Sequence, residues 1–384
     1  MSKSSYIKIS REKLANNLQF IREILKPDVK FSSVLKGNAY GHGIKQMVPE
    51  LVELGVNHFS VFSSSEAREV AKFAPDDAEI MIMGNVVEDD VPWILERNIS
   101  CFVFNQTRLE RLEREGQKCG KKAKIHIEVE TGMNRTGFEE KDWNSLMDYL
   151  TQSEWIEVVG VCTHFAGAES ITNYHRIQQQ RKIYRKFIKK FEKKGFKNFI
   201  RHASCSAAAI SYPSEQWDMV RIGILQYGLW PSRETCISYL TKKKLHEDPL
   251  KRIISWHSQV MDIKQVDKQE FIGYGTSMMS ENEMTIAAVP VGYSNGYSRS
   301  LSNQGKVIIR GVRLDVIGII NMNMFLVDVS CLEEIKIGDP VILIGENENE
   351  DVSISLASFG EITNQLNYEL LARLDKEIPR IVGP

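Results

Sequence analysis

The chain has 384 residues, of which 42% are hydrophobic and 26% are charged, a composition typical of an ordinary globular protein. This length is sufficient for two domains. Lys and Arg total 49 while Asp and Glu total 50, so the formal net charge is −1. Because no overall positive field exists to attract nucleic acid or anionic lipid, we expect any partner to be recognised locally and expect no nucleic-acid partner.

Apolar runs and cysteines indicate the compartment. No stretch approaches the ~18 consecutive apolar residues that a membrane span requires, and residues 1–10 lack the apolar core of a secretion signal. The six cysteines are scattered, with no C-x-x-C pair, which is typical of reduced thiols. The histidines show no zinc-like spacing apart from the loose pair His202 and Cys205. We therefore expect a cytoplasmic protein with no membrane partner and no metal site.

The first two-thirds of the chain alternate short β-rich runs with segments of helical spacing, the pattern of βα units around a parallel sheet. One apolar helical stripe runs through Leu14, Leu18 and Ile21. The predicted strands are 31–35, 58–62, 79–83, 100–104, 124–129, 157–163, 198–202 and 220–225. About eight such units predict an α/β fold of the (β/α)₈ barrel type, for which ~250 residues is the usual size. We place this barrel domain at residues 1–238.

Residues 239–384 are predicted to form a second, mainly β domain. The polar stretch 231–250 marks the boundary, and little helical pattern follows it. The predicted β-branched runs are 253–266, 285–293, 306–320, 325–329 and 340–344, joined by Gly-containing turns. The acidic stretch 346–351 is interpreted as a solvated loop.

Lys36 is the first candidate for chemistry. Active sites of such barrels lie at the C-terminal ends of the strands, and Lys36 directly follows the run 31–35. A lysine that is partly desolvated there has a lowered pKa, which frees its amine for covalent chemistry with a carbonyl group. In isolation, a surface lysine extending from a strand end would be the simpler interpretation.

The residues after Lys36 change that interpretation. Segment 36–43 reads KGNAYGHG and resembles the pyridoxal-phosphate motif of the alanine racemase family. Further matches follow in the family's order at 131–138 (TGMNRTGF), 163–166 (THFA), 202–207 (HASCSA), 221–224 (RIGI), 273–275 (GYG) and 292–293 (GY). The resemblance extends over nearly the whole chain. It implies a fold-type III pyridoxal-phosphate racemase, whose barrel is followed by a β domain.

The resemblance implies two proton-transfer residues. Lys36 would hold the cofactor covalently and exchange the α-proton on one face of the substrate. Tyr274, from the β domain of a partner chain, would serve the opposite face, so a homodimer with shared sites is implied. A free phenol has a pKa of ~10 and is a poor base at neutral pH, so its anion needs support. His164 and Arg221 are implied to provide that support.

Besides Lys36, the resemblance implies that Arg221, His164 and four further residues bind the cofactor. An arginine does not give up its proton, so Arg221 would donate a hydrogen bond to an unprotonated pyridine nitrogen and favour proton exchange over transamination or decarboxylation. The backbone amides of Gly223 and Ile224 would bind the phosphate, and the hydroxyl groups of Ser206 and Tyr40 would add donors.

Arg135 and Met322 are implied to bind the substrate, Arg135 near its carboxylate and Met322 through its backbone amide. The family frequently sets this arginine against a carbamylated lysine seven residues earlier, where this chain has Glu128. A glutamate would supply the same negative charge permanently. Strand alternation leaves open whether Glu128 faces Arg135 or solvent.

Four departures from the family pattern bear on the substrate. Ile319, Asn321 and Asn323 stand where the family commonly has arginine, cysteine and aspartate. Lys376 occupies the position of a tyrosine that closes the pocket and contacts the phosphate. These changes fall on the entrance and the side-chain pocket, so the activity class is better supported than the substrate. We expect alanine, with a racemase of serine, lysine or broad specificity as the alternative.

Two other functions compete with racemisation. A related decarboxylase is less consistent with the sequence, which lacks that class's glycine-rich phosphate loop and catalytic cysteine. A non-catalytic pyridoxal-phosphate carrier shares the barrel but usually lacks the second domain, and Tyr274 in a full-length β domain argues against it. For the racemase, family membership implies that D-alanine would supply peptidoglycan synthesis.

Overall fold

The structure is a computed structural model that describes residues 4–347, 352–355 and 367–384. Residues 348–351 of the predicted acidic loop therefore lie outside the described residues. The chain forms two compact units. One comprises residues 13–36 and 47–252, and the other comprises residues 1–12, 37–46 and 253–384. We call them the barrel unit and the β unit.

The strands, in chain order, are β1 (Tyr6–Ser10), β2 (Lys30–Val34), β3 (His58–Val61), β4 (Glu79–Ile82), β5 (Ser100–Val103), β6 (Ala123–Glu128), β7 (Ile156–Cys162), β8 (Ile200–His202), β9 (Met219–Ile222), β10 (Ile254–Gln259), β11 (Asp262–Val266), β12 (Met284–Val289), β13 (Lys306–Ile309), β14 (Val312–Ile317), β15 (Phe325–Asp328), β16 (Pro340–Glu346), β17 (Ser353–Ile354) and β18 (Arg380–Gly383).

The described α-helices are Arg11–Ile24, Ile44–Glu53, Ser64–Ala71, Val91–Glu96, Gln106–Cys119, Trp143–Gln152, Tyr174–Lys193, Ser206–Ser211, Arg233–Lys243 and Asn367–Ala372. Short 3₁₀ turns lie at Glu88–Asp90, Glu140–Asp142, Ile171–Asn173, Pro213–Glu215, Ile224–Tyr227, Tyr293–Asn295 and Arg299–Leu301. No helix in the described ranges is long and apolar enough to cross a membrane.

The barrel unit contains the predicted parallel sheet. Its eight strands are hydrogen-bonded in the order β8-β7-β6-β5-β4-β3-β2-β9. The two end strands meet, because Asp218 N donates to Arg201 O and Arg221 N donates to Ser204 O, both at 3.0 Å. The sheet thus closes on itself, which confirms the predicted barrel, and all eight predicted strands are present.

Helices connect the strands and have recognisable ends. Helix Gln106–Cys119 begins after Asn105, whose Oδ1 accepts from Arg108 N at 2.9 Å. It ends at Gly120, which has φ 63°. The side-chain cap satisfies one of the backbone N–H groups that a helix start leaves without a partner, and glycine adopts the left-handed conformation at little cost.

The interior of the barrel combines apolar and polar layers. Met81, Phe102, Cys162 and Met219, from four different strands, pack together. Polar side chains are also buried there: His58 Nδ1 lies 2.9 Å from Ser32 Oγ, which lies 2.5 Å from Ser60 Oγ. Buried polar groups are tolerated when they are hydrogen-bonded to one another.

The β unit is built on one ten-stranded sheet. Its strand order is β11-β12-β15-β14-β13-β16-β10-β1-β18, and β17 pairs with β16. The predicted run 253–266 divides into β10 and β11, which are not neighbours in the sheet. The predicted run 306–320 likewise forms the antiparallel pair β13 and β14.

Strand β1 lies in the β unit, although the predicted ranges of 1–238 and 239–384 put its residues in the barrel domain. It pairs with β10 in antiparallel register, Tyr6 opposite His257, and with β18 in parallel register, Ile7 opposite Arg380. Strand pairing is determined by the available edge of a sheet rather than by closeness in sequence, so residues 4–12 belong to the β unit. The second compact unit resumes at Ile253.

We expect Ile7→Ala to lower the free energy of unfolding by about 2–5 kcal/mol, because it removes methyl and methylene groups from a closely packed position. Ile7 is fully buried in β1, whereas the adjacent Lys8 is exposed. The matched control Lys8→Ala should change stability by less than about 0.5 kcal/mol. Urea unfolding followed by circular dichroism measures both, and equal midpoints would contradict the placement of β1.

Candidate functional site

Lys36 lies where the sequence placed it, just past the C-terminal end of β2. Leu35 N donates to Ser60 O at 2.8 Å, which holds the strand end against β3. The residue keeps part of its surface open to solvent, yet the pKa of its amine is lowered, first by desolvation and then by the positive charge of Arg135. A lowered pKa increases the fraction of uncharged, nucleophilic amine at neutral pH.

The chain after Lys36 forms a left-handed helical turn. Its four residues have φ values of 64° at Gly37, 54° at Asn38, 54° at Ala39 and 52° at Tyr40. Each non-glycine residue in this conformation costs roughly 1–2 kcal/mol. Glycine alone is not sufficient to explain such a turn, so the surrounding hydrogen bonds have to hold it.

Asn38 and His42 make those hydrogen bonds. Ile44 N donates to Asn38 Oδ1 at 3.0 Å, and His42 Nδ1 lies 3.0 Å from the carbonyl oxygens of both Ala39 and Tyr40. Because carbonyls only accept, Nδ1 carries the proton. Burial lowers the pKa of His42 to about 4, so the ring is neutral at neutral pH and ties the turn together.

Arg221, on β9, is buried and surrounded by neutral acceptors. Its Nη1 donates to His202 Nδ1 and, at 3.1 Å, to His202 O. Its Nη2 donates to Thr163 O at 2.8 Å and to Ala203 O at 3.4 Å. Since none of these acceptors is charged, the positive charge is held in place without being neutralised by them.

The charge of Arg221 affects the pKa of His164. Its pKa is lowered to about 3, first by burial and then by the charges of Arg221, Arg135 and Lys36. The ring is therefore neutral at neutral pH. The same interactions show that these four predicted residues lie together at the mouth of the barrel.

Ser206 and Gly223, two predicted phosphate ligands, are also brought together. Gly223 N donates to Ser206 Oγ at 3.1 Å. Ile224 follows Gly223 and begins the 3₁₀ turn Ile224–Tyr227. Ser206 begins the short helix Ser206–Ser211, so the hydroxyl group lies beside the start of the 3₁₀ turn, where it accepts the Gly223 N–H.

Glu128 faces Arg135, which answers the question that strand alternation left open. Its Oε1 lies 3.8 Å from Arg135 Nη2, and its Oε2 accepts from Thr136 Oγ1 at 2.8 Å. Burial raises the pKa of this carboxyl group, although Thr136 and Arg135 oppose the effect. The arrangement places a carboxyl group beside the arginine without any modification of a lysine.

Tyr274 lies at the tip of a loop of the β unit. Ile272 N donates to Met278 O at 3.0 Å and closes the loop. Gly273 and Gly275 flank the tyrosine with φ values of 74° and 71°, a conformation that favours glycine. The side chain is 69% exposed, so the phenol is presented to solvent.

Met322 lies in a second exposed loop of the β unit, in contact with a third. Met322 O accepts from Ser294 N at 3.0 Å and from Ser294 Oγ at 2.8 Å. Tyr293 N donates to Asn321 O at 3.1 Å, and Asn323 Nδ2 donates to Ser294 Oγ at 3.0 Å. Two motifs that are separate in the sequence therefore form one cluster.

Two departures from the family pattern have clear positions. Ile319 neighbours the tyrosine loop, because a Cβ placed on Gly275 would lie 3.9 Å from Ile319 Cδ1. Lys376 is exposed, and its carbonyl oxygen accepts from Arg380 Nη1 at 3.0 Å. Tyr40, predicted to bind phosphate, has a ring 6.1 Å from that of Tyr368 within the β unit.

Sequence reasoning missed three residues that support the site. Thr136, inside a matched motif, holds Glu128; Asn38 caps the left-handed turn; and Ser294 links the two β-unit loops. Asn38 carried a usable signal, since asparagine is enriched in left-handed conformations. Nothing in the sequence pattern indicates which carboxylate Thr136 would meet.

Comparison with known proteins identifies the family. Residues 9–231 match the model described as alanine racemase, N-terminal domain, and residues 253–382 match alanine racemase, C-terminal domain. The chain belongs to the alanine racemase family, which confirms the resemblance found in the motifs.

Individual relatives agree over the full length. An alanine racemase of Leptospira interrogans is 34% identical, with 99% of this chain and 96% of the relative covered. The solved alanine racemase of Clostridium difficile 630 has a TM-score of 0.89 at 28% identity, covering 100% of this chain and 96% of that one. One from Bartonella henselae, with covalently bound pyridoxal phosphate, has a TM-score of 0.83 at 25% identity, covering 99% and 100%.

We expect the pKa of Lys36 to rise when Arg135 is replaced by Gln, because the guanidinium charge disfavours a second positive charge nearby. Reductive methylation with carbon-13 and titration by NMR measures the pKa, and Lys36→Arg assigns the signal. Arg97→Gln is the matched control, since Arg97 is exposed and lies 3.3 Å from Asp76. An unchanged pKa in Arg135→Gln would contradict the described proximity.

Proposed function

We propose that this chain is a pyridoxal-phosphate-dependent racemase that interconverts L-alanine and D-alanine, with Lys36 and Tyr274 as its two bases. The observation that carries the proposal is the environment of the Lys36 amine. An amine of lowered pKa shares the barrel mouth with Arg135, His164 and Arg221. This is the donor set that the family's cofactor chemistry needs.

The residues at the mouth fit pyridoxal phosphate. The cluster of Ser206 Oγ and the Gly223 and Ile224 amides suits a phosphate group, which accepts hydrogen bonds from a hydroxyl and from backbone N–H groups. Arg221 would donate to the ring nitrogen, and Tyr40 would add a phosphate donor. When bound, the cofactor withdraws electrons from the substrate's α-carbon and so acidifies the α-proton.

Lys36 and Tyr274 divide the proton transfer. The Lys36 amine, released by the incoming substrate, takes or returns the α-proton on one face. The Tyr274 phenol does the same on the opposite face, and inversion of configuration requires both. Neutral His164, beside the fixed charge of Arg221, stabilises the phenolate during the cycle.

Arg135 and Met322 orient the substrate. The Arg135 guanidinium would meet the carboxylate of alanine, and the Met322 amide would add a backbone donor. Glu128, which accepts a hydrogen bond from Thr136, would hold the guanidinium by its charge at 3.8 Å. Since Glu128 carries its own carboxyl group, this positioning would not require carbon dioxide to modify a lysine.

We further propose that the chain is a homodimer in which the partner's Tyr274 completes each site. The phenol is exposed at the tip of its own loop, and it shares exposed apolar surroundings with Phe271 and Met279. An exposed set of large apolar side chains is typical of an interaction surface. A twofold assembly would cover both copies of the loop at once.

The use of the product is inferred from the family, and the compartment is inferred from the cysteines. D-alanine formed by this enzyme would supply peptidoglycan synthesis. The six cysteines form no disulfide with one another, which supports a reducing compartment and thus the cytoplasm.

Mixing two inactive variants tests the shared site. We expect Lys36→Ala and Tyr274→Phe each to lower kcat by ~10²-fold or more, since each removes a general base. Unfolded together in equal amounts and refolded, they should recover about one-quarter of the wild-type activity, because half of the dimers contain one intact site of two. Each variant unfolded and refolded alone is the control.

No recovery in the mixture, with dimers confirmed by sedimentation, would contradict a site that is shared between subunits. Retained racemisation in Tyr274→Phe would instead remove the tyrosine from the mechanism. The two results separate the assembly from the chemistry.

The substrate is tested by exchange of the α-proton with deuterated water. We expect alanine to give the highest kcat/KM among a panel of L-amino acids that includes serine and lysine. Ile319 replaces a polar residue with an apolar one beside the tyrosine loop, which favours a small apolar side chain. A higher kcat/KM for serine or lysine would identify the alternative racemase, and no exchange with any amino acid would favour a carrier.

A further inference from the structure

A run of hydrogen bonds crosses the barrel interior from Arg221 to β4. Arg221 Nη1 donates to His202 Nδ1. His202 Nε2 lies 2.9 Å from His126 Nδ1, and His126 Nε2 lies 3.2 Å from Ser100 Oγ. Ser100 Oγ ends the run by donating to Ile80 O at 3.4 Å. All four side chains are buried.

The two ends of this run fix its direction. A guanidinium group only donates, so His202 Nδ1 must accept. A neutral imidazole carries one N–H, which places the His202 proton on Nε2, directed at His126 Nδ1. The His126 proton is then on Nε2 and is donated to Ser100 Oγ. The Ser100 proton goes to Ile80 O, which only accepts.

Both rings remain neutral in this arrangement. Protonation of His202 would place its Nδ1–H opposite an Arg221 N–H, and protonation of His126 would place its Nδ1–H opposite the His202 Nε2–H. Burial, followed by the charges of neighbouring His58, Arg221 and Lys30, lowers the pKa of His126 to about 3. Burial, Arg221 and the other two histidines likewise lower the pKa of His202 well below its usual value.

Gly160 provides a second, independent sign that the His126 ring is built into the barrel. A Cβ atom on Gly160 would lie only 2.0 Å from His126 Nδ1. Glycine in the interior of a strand weakens it unless close approach requires it. Gly160 of β7 lies opposite His126, where the register between β6 and β7 shifts after Ile125. The His126 ring occupies the space that a side chain at position 160 would need.

We propose that His126 and Ser100 are positioning residues that hold His202 as its Nε2–H tautomer and thereby fix the Arg221 guanidinium for the cofactor ring. In the opposite tautomer, His202 Nδ1–H would face an Arg221 N–H, donor against donor, and the guanidinium would have to move. The role of Arg221 toward the cofactor rests on the proposed function, whereas the tautomer order does not.

Nitrogen-15 histidine NMR of the cofactor-free protein tests the tautomers directly. In the wild type we expect both rings to carry the proton on Nε2. Ser100→Ala removes the acceptor of the His126 Nε2–H and should shift His126 toward the Nδ1–H form. His202 Nε2–H then loses its own acceptor, so its nitrogen-15 shift should change. Ser60→Ala is the matched control, because this buried serine contacts Ser32 instead of the run.

The cofactor-loaded protein gives the second measurement. We expect Ser100→Ala and His126→Phe to change the absorption of bound pyridoxal phosphate and to lower kcat about 10- to 100-fold. Losses of this size follow when a supporting hydrogen bond is removed or when a group in the site moves by about 1 Å. KM should change less. His126→Asn should restore both readouts in part, since its amide oxygen can accept where Nδ1 did.

The outcomes are separable. An unchanged His126 tautomer in Ser100→Ala, with unchanged His202 nitrogen-15 shifts in both Ser100→Ala and His126→Phe, measured on folded protein, would overturn the proposal. Changed tautomers with an unaltered cofactor spectrum would overturn the link to Arg221. If the wild type failed to racemise alanine while tautomers and spectrum changed as expected, the proposed substrate would fail and the positioning role would stand.

Discussion

The burial of the Arg221 guanidinium is the constraint on which the barrel site depends. Its backbone N–H helps close the sheet against Ser204 O, and its side chain binds only neutral acceptors. A buried charge is costly unless hydrogen-bonded, and a carboxylate partner would have neutralised it. The buried charge contributes to the lowered pKa values of Lys36, His164 and His202. Closure of the barrel and the electrostatics of its mouth are therefore linked through one residue.

The left-handed turn at 37–40 shows how local strain is maintained beside a reactive amine. Three non-glycine residues adopt a conformation that is unfavourable for each of them, and they do so because Asn38 and the neutral ring of His42 satisfy the backbone. Strained backbone of this kind persists only when its surroundings hold it from several sides. The turn redirects the chain immediately after Lys36 and so leaves the amine at the end of β2.

Much of the fold and the site could be predicted from the sequence. The eight barrel strands follow from short apolar runs between helical patterns. The position of Lys36 follows from the end of a strand, and its grouping with Arg135, His164 and Arg221 is implied by the resemblance to the family. Strand β1 could not be assigned, because a five-residue strand carries no sign of which sheet edge it will join. The contact of Ser294 with Met322 could not be predicted either, since it joins two loops whose contacting residues are 28 positions apart.

The sequence by itself determined the order of the elements, the family and the candidate reactive side chains, because periodicity and spaced motifs are local properties of the chain. Tertiary structure alone decided that Glu128 faces Arg135, that β1 leaves the barrel, and that Gly160 makes room for the His126 ring. The last two depend on pairings between residues distant in sequence, and the first depends on the direction in which a strand-end side chain points. All three are determined by packing, hydrogen-bond satisfaction and the exclusion of water, which no single segment encodes.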